Sequence, residues 1–510
     1  MEYYDPRDFD LAGRIAKLKT RHGVIETPYL FPVVDPVKQV PSLNTLLDIG
    51  FNAFITNAYL LYRRNRGMVK NIHSYFSWNN PIMTDSGGYQ ILVYGSIEVD
   101  NVTIVKYEKM IDVDIGVILD IPTGSQMSRN EAWKAVKETY RRAWEALPVI
   151  MDSSQLWVYP IQGAPYRDLV MYSAIQSKRM PYHIYAFGSP TVYLEKYAYD
   201  ELLELAIMAK LNLPPEKPFH VFGVGHPMII PFLVAIGADL FDSASYILYA
   251  RDERLMFEGG TKKLGELSYL PCNCPVCTRY TPQELREMSK TERIEAIAKH
   301  NLYILIREIK NVKEAIKEGR LWEHLVYRSR MHPSLRRAFT VLNKYRHLLE
   351  KYNPNTKTPT HAVLLLDADS ASNPRLVATR RRLYRVIERE FSGKRILLVP
   401  AVNKPFTQQS IYVDARKKYP NYKVLFYNPY LGLFSPKHIN TYPFFQHEIG
   451  TYAYNECVVE EAAWFLIRIK PNEVLVISAG EKSFRVFAER LVKILKSKLP
   501  GKTPIRIIRA

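Results

Sequence analysis

Pro81-Ile82-Met83-Thr84-Asp85-Ser86-Gly87-Gly88 is a short apolar run that stops in an aspartate and a Gly-Gly turn. A core strand has no packing reason to finish on a carboxylate, and the glycines leave backbone amides open to a ligand. The pattern recurs. Apolar runs at Tyr29–Val34, Asn52–Asn57, Pro81–Thr84, Ile115–Asp120, Leu156–Gln162, His183–Gly188, His220–Gly225 and Asp239–Asp242 are separated by amphipathic helical stretches. Such alternation is the sign of β/α units. Eight runs predict a (β/α)8 TIM barrel, in which catalytic groups project from the C-terminal strand ends. The runs end on Asn57, Asp85, Asp120, Gln162, Gly188 with Ser189, His226 and Asp242. One polar end is ordinary turn chemistry. Their convergence predicts a site.

After the eighth run, Pro271–Cys277 reads PCNCPVC, and His300 follows residues 278–299. Cys272, Cys274 and Cys277 are three of only four cysteines. An odd set of thiols cannot close as disulfides, but three thiolates and an imidazole make a tetrahedral shell. Four protein ligands leave no open position, so the expected ion is one structural Zn2+ per chain in an inserted subdomain spanning about residues 265–305. The alternative is three free cysteines in a turn and an unrelated histidine.

Lys and Arg total 70 against 51 acids, a net charge of +19. That field attracts polyanions, nucleic acid above all. Arginines cluster at Arg63, Arg64 and Arg66, at Arg328, Arg330, Arg336 and Arg337, and at Arg380–Arg382. The start, MEYYDPRD, does not read as a secretory leader, and no run reaches the roughly 18 to 20 apolar residues of a membrane span. With cysteines so scarce, a reducing cytoplasm is expected, and no membrane partner. Residues 1–350 are expected to form the barrel domain. KYNPNTKTPT then reads as a linker to a C-terminal α/β accessory domain, residues 361–510. There His361–Leu366, Arg395–Val399, Lys423–Phe426 and Val474–Ser478 alternate with helical segments such as Glu456–Ile469 and Ser483–Leu495, which predicts a parallel-leaning sheet.

Four local sequences occur in order ahead of the cysteine knot: TDSGGYQ at Thr84–Gln90, LDIPT at Leu119–Thr123, PIQG at Pro160–Gly163 and FDSAS at Phe241–Ser245. Together with the knot they resemble the tRNA-guanine transglycosylases over roughly residues 10–340. ITNAYLL (Ile55–Leu61), GVGHPM (Gly223–Met228) and DLFDSASYILYARD (Asp239–Asp252) resemble the archaeal branch. The resemblance implies a zinc-containing barrel enzyme that exchanges guanine at position 15, in the D-arm of tRNA, for 7-cyano-7-deazaguanine (preQ0), the precursor of archaeosine. It implies Asp242 as nucleophile and Asp85 as general acid/base, with the reverse assignment also open. It implies Asp120, Gln162, Gly188 and Ser189 as base-binding residues. Gly188-Ser189-Pro190 departs from the family's usual Gly-Gly or Gly-Ala. Tyr89 either stacks on the base or packs. A homodimer is expected. No PUA-like segment is recognised among residues 361–510, so a separate PUA-domain protein is expected to grip the tRNA, unless the basic clusters suffice.

The chemistry stands on its own grounds. Cleaving a glycosidic bond to guanine leaves an oxocarbenium-like ribose, which a carboxylate can trap, while a second acid shuttles the purine proton. A covalent intermediate also lets one base replace another without ATP. The other readings are a paralogous synthase that modifies inserted preQ0 and a catalytically silent tRNA-binding subunit. Retention of both Asp85 and Asp242 weighs against each.

Overall fold

The computed structural model describes residues 3–88, 99–124, 126–188, 190–354, 357, 361–499, 501 and 503–509. The chain forms two compact units, Met1–Lys317 with Tyr327–Leu348, and Glu318–Val326 with Leu349–Ala510.

The first unit opens with a three-stranded antiparallel sheet, β1 (Tyr4–Asp10), β2 (Gly13–Thr20) and β3 (Gly23–Thr27). Eight parallel strands follow and close into a barrel: β4 (Tyr29–Val34), β5 (Phe54–Asn57), β6 (Ile82–Asp85), β7 (Ile115–Val117), β8 (Leu156–Ile161), β9 (Ile184–Phe187), β10 (Phe219–Val221) and β11 (Leu240–Ser243). β11 closes the ring by pairing with both β10 and β4. All eight predicted runs are barrel strands. Each is buried almost throughout, as strands covered by helices outside and packed side chains inside must be.

The helix Arg129–Met151 shows how the outer layer is specified. Ser128 and Glu131 form a reciprocal capping box at its start. Ala132, Ala135, Val136, Thr139, Ala143, Ala146 and Ile150 then make a buried stripe of small residues at helical spacing. The antiparallel sheet was not anticipated. It covers the N-terminal end of the barrel, where Arg14 of β2 and Tyr4 of β1 both bond the Asp239 carboxylate below β11.

Beyond the barrel a hairpin, β12 (Arg254–Phe257) and β13 (Gly260–Lys263), precedes the cysteine knot and the long helix Lys290–Glu318. The second unit holds β14 (Val363–Leu365), β15 (Arg395–Pro400), β16 (Lys423–Asn428), β17 (Gly432–Phe434), β18 (His447–Ile449), β19 (Glu473–Ser478) and β20 (Ile505–Arg509). Its main sheet runs β17-β16-β15-β19-β20 and is parallel except at the β16–β17 edge. The predicted run at His361–Leu366 does not join it. Its strand β14 pairs instead with β18 in a separate two-stranded ladder. Part of the expected linker lies outside the described residues. No helix among the described residues is long and apolar enough to cross a membrane.

Candidate active site

The polar strand ends converge. Asp85, Asp120, Gln162, Gly188 and Asp242 line one cavity of about 540 Å3 at the C-terminal mouth of the barrel. That volume suits a small-molecule pocket.

Asp85 is the last residue of β6 and pairs in register with Asn57, the last of β5. Asn57 Nδ2 donates to Asp85 Oδ2 at 3.0 Å, and the Gly87 N–H to Oδ1 at 3.3 Å. Burial raises the Asp85 pKa, the negative fields of Asp120 and Asp242 raise it further, and the result is about 7 despite those donors. Asp85 is thus poised to gain or lose a proton near neutrality.

Asp242 sits inside β11 and accepts from His220 Nε2 at 2.8 Å and from the Gly223 N–H at 3.0 Å. A carboxylate only accepts, so His220 carries its proton on Nε2. That imidazole is fully buried beside Phe31 and Phe222. Two donors thus fix the orientation of the carboxylate.

Asp120 lies in the loop beyond β7, since pairing stops at Val117. Gln162 Nε2 donates to its Oδ2. The Gln162 orientation is set from the other side, because Thr123 gives Oε1 its backbone N–H at 3.0 Å and its hydroxyl at 3.2 Å. Burial raises the Asp120 pKa to about 6 against the pull of Gln162 and the Arg142 charge. Asp120 is therefore mostly ionised at neutral pH.

Two glycines are required by close approach. A Cβ at Gly88 would lie 2.3 Å from Asp120 Oδ1, and one at Gly188 would lie 2.2 Å from Gln162 Nε2. The Gly188 N–H is already bonded to the Ile161 carbonyl, at 3.0 Å. A further backbone donor from this turn would have to be Ser189, which lies outside the described residues, as does Tyr89. Beneath the site, Glu108 is wholly buried and accepts from Thr84 Oγ1 at 2.7 Å. Burial holds its pKa well above the usual carboxylate range.

Asn57 was among the polar run ends and Thr123 closes the LDIPT stretch, whereas His220 and Glu108 were missed as supporting residues. Of these two, His220 left a signal, as the polar member of the otherwise apolar Phe219–Phe222 run. The arginine clusters divide sharply. Arg63, Arg64 and Arg66 are exposed at the end of the helix Ala58–Asn65, which leaves β5 at the mouth. Arg328 is instead fully buried, paired with Glu258 and Glu308. Arg380 is buried against Glu461 and the carbonyls of Ala371 and Tyr430. Neither can belong to a basic surface.

The ligand atoms of Cys272, Cys274, Cys277 and His300 lie within 4.8 Å of one another. His300 Nδ1 is 3.4 Å from Cys274 Sγ and 3.2 Å from Cys277 Sγ, while Nε2 donates to the Met256 carbonyl of β12 at 2.8 Å. That second bond turns the Nδ1 lone pair toward the thiols, as a metal-binding imidazole requires. The set fits a structural zinc site.

Converging carboxylates, two of them with raised pKa values, at the mouth of a closed β/α barrel mark an enzyme of the (β/α)8 class. The family model for queuine tRNA-ribosyltransferase matches residues 10–334. Proteins named tRNA-guanine(15) transglycosylase are similar over most of their length. That of Aeropyrum pernix is 44% identical over 87% of each chain, and that of Sulfolobus acidocaldarius is 42% identical over 88% of each. The protein of that name from Saccharolobus solfataricus is 46% identical over 76% of this chain and 79% of its own. The chain belongs to the queuine tRNA-ribosyltransferase family and is a transferase.

Proposed function

We propose that the protein exchanges guanine at position 15 of tRNA for preQ0 through a covalent enzyme–ribose intermediate, in cytoplasmic archaeosine biosynthesis. The observation that carries this reading is that Asp85 and Asp242 border one purine-sized cavity whose side is formed by the Asp120–Gln162 pair.

The Asp242 carboxylate, held in place by His220 and Gly223, attacks C1′ as the C1′–N9 bond breaks. Neutral Asp85 gives its proton to the departing guanine and becomes a carboxylate. Incoming preQ0 returns a proton to Asp85 as its N9 attacks C1′ and Asp242 leaves. A pKa of about 7 lets one group serve in both directions. Asp120 accepts from the N1–H and 2-amino group of either base, and Gln162 and Ser189 serve the acceptor edge. Cys272, Cys274, Cys277 and His300 hold Zn2+, which in a closed shell stabilises the fold and takes no part in the exchange. Arg63 and Arg66, which with Tyr59 and Tyr62 line a second pocket of about 460 Å3, contact tRNA phosphates. A homodimer, with either a separate PUA-domain protein or the basic clusters gripping the tRNA, completes the assembly.

The test is mass spectrometry of tRNA after incubation with preQ0, alongside denaturing gels for a trapped protein–tRNA adduct. preQ0 at position 15, with an adduct that Asp242→Asn abolishes, supports the reading. Exchange at another position refutes the substrate, and an adduct that survives Asp242→Asn but not Asp85→Asn reverses the two roles.

A further inference from the structure

The geometry points to a second metal site, at the opposite end of the barrel, formed by His22, His73 and Asp114 and suited to Zn2+. His22 occupies the turn between β2 and β3, His73 lies in the helix Ile72–Phe76, and Asp114 immediately precedes β7. One ligand atom from each falls within 4.8 Å of the others.

Protonation logic singles out His73. Its Nδ1 lies 2.9 Å from the Trp78 carbonyl, which can only accept, so Nδ1 carries a proton. In the neutral ring, Nε2 then presents a lone pair. That atom is buried and lies 3.3 Å from Asp114 Oδ2, without the alignment of a good hydrogen bond. Two lone pairs facing each other in a buried site are repulsive unless a proton or a metal ion joins them. A carbonyl bond on the far nitrogen is also the arrangement that aims an imidazole at a metal.

The carboxylate is prepared in the same way. The backbone N–H of His22 donates to Asp114 Oδ1 at 2.9 Å, and that of Ile82 to Oδ2 at 2.9 Å. Each oxygen keeps further lone-pair capacity. His22 Nδ1 is 3.1 Å from Oδ1. With Zn–N and Zn–O bonds of about 2.0–2.2 Å, tetrahedral ligands lie roughly 3.3 Å apart. The observed 3.1 and 3.3 Å, one to each oxygen of the carboxylate, are compatible with that spacing and longer than the roughly 2.8 Å of a charge-assisted hydrogen bond. The imidazoles lie with centroids 3.7 Å apart and planes 33° from parallel. Two imidazolium ions would repel in that arrangement, whereas one shared ion would satisfy both. The His22 side chain is 28% exposed, which leaves a path for entry and room for a water as fourth ligand.

The ion would tie the β2–β3 turn to the barrel base, a stabilising role remote from the exchange site. The test uses the full-length protein, stripped with chelator and resupplied with Zn2+ alone, with metal per chain measured by elemental mass spectrometry. His22→Ala, a turn substitution that leaves the core intact, and His73→Ala are compared with wild type, all retaining the cysteine knot. One equivalent more in wild type than in both variants is expected, together with a Zn2+-dependent rise in Tm that His22→Ala abolishes. Cobalt loading of that equivalent should show no thiolate charge-transfer band. Equal metal content in wild type and His22→Ala at saturating Zn2+, or an extra equivalent that survives both substitutions, overturns the site.

Discussion

Replacing Asp85 with asparagine should abolish exchange and, above neutral pH, make the barrel more stable. The Asp85 pKa is about 7 in the folded protein against an ordinary 3.8, because burial and the nearby Asp120 and Asp242 charges oppose its ionisation. A carboxyl whose folded pKa is raised destabilises the fold wherever the unfolded chain would ionise it. The penalty is absent below about pH 4, grows as pH rises, and levels off above pH 7. At about 1.4 kcal/mol per pKa unit, its full size is about 4 kcal/mol. Asparagine has no charge to bury, so it escapes the whole effect. It can accept from Asn57 or from Gly87 but not from both, which costs about 1 kcal/mol at every pH. That loss cancels when two pH values are compared. The stability gap between variant and wild type should therefore move in the variant's favour by roughly 2–3 kcal/mol between pH 5 and pH 8. Urea denaturation followed by tryptophan fluorescence suits the measurement, since Trp157 is fully buried in the barrel. A gap that stays constant across that range, or moves toward wild type, would refute the account of Asp85 as a carboxyl held partly protonated by its surroundings.

The remaining predictions follow from single contacts. Gly188→Ala would force its Cβ into Gln162, whose amide is held by Thr123 and Asp120, so kcat/KM should fall about 100-fold or more while circular dichroism and zinc content stay unchanged. His220→Leu removes one charge-assisted donor from Asp242. At about 1.5–3 kcal/mol the loss is roughly 10- to 150-fold, expressed in kcat and not in tRNA KM. Arg63→Ala and Arg66→Ala should raise the KM for tRNA and each flatten the salt dependence of binding by about one unit. Arg328→Ala should leave that slope untouched and instead destabilise the barrel by about 3–5 kcal/mol, because it breaks the buried ion pairs of Arg328 with Glu258 and Glu308.

The barrel was legible because strands covered on both faces must be apolar throughout, so a polar residue at the end of each run stood out. Asp85, Asp120, Gln162 and Asp242 stood out on that contrast, their expected roles came from the resemblance, and the structure brings them to one cavity. What failed to show is what depends on register between distant segments. His220 reads as one polar residue in an apolar strand until β10 pairs with β11 and brings its Nε2 to Asp242. Within the arginine clusters, two members misled for the same reason. A basic residue looks alike whether it is solvated, as Arg330 and Arg381 are, or, like Arg328 and Arg380, enclosed and paired with an acid. The antiparallel sheet β1–β3 was passed over because its strands mix buried and outward-facing polar positions, unlike the uniformly apolar barrel strands.

The two ends of the barrel treat buried carboxylates in opposite ways, and the contrast separates scaffold from chemistry. At the N-terminal end, burial alone would raise the Asp239 pKa, but the Arg14 guanidinium and the Tyr4 hydroxyl hold it below the ordinary value. Four donors, from Tyr4, Arg14 Nε, the Arg14 terminal nitrogen and the Phe219 N–H, surround that carboxylate. At the C-terminal end Asp85 has two weaker neutral donors and faces two like charges, so burial prevails and the pKa climbs. An arginine beside Asp85 would stabilise the fold and fix the carboxyl as an anion, which in the proposed exchange would leave Asp85 without a proton to give the departing purine. Weak compensation of Asp85 is thus what the proposed reaction requires, and the satisfied ion pair at the base is among the contacts that let the fold tolerate it.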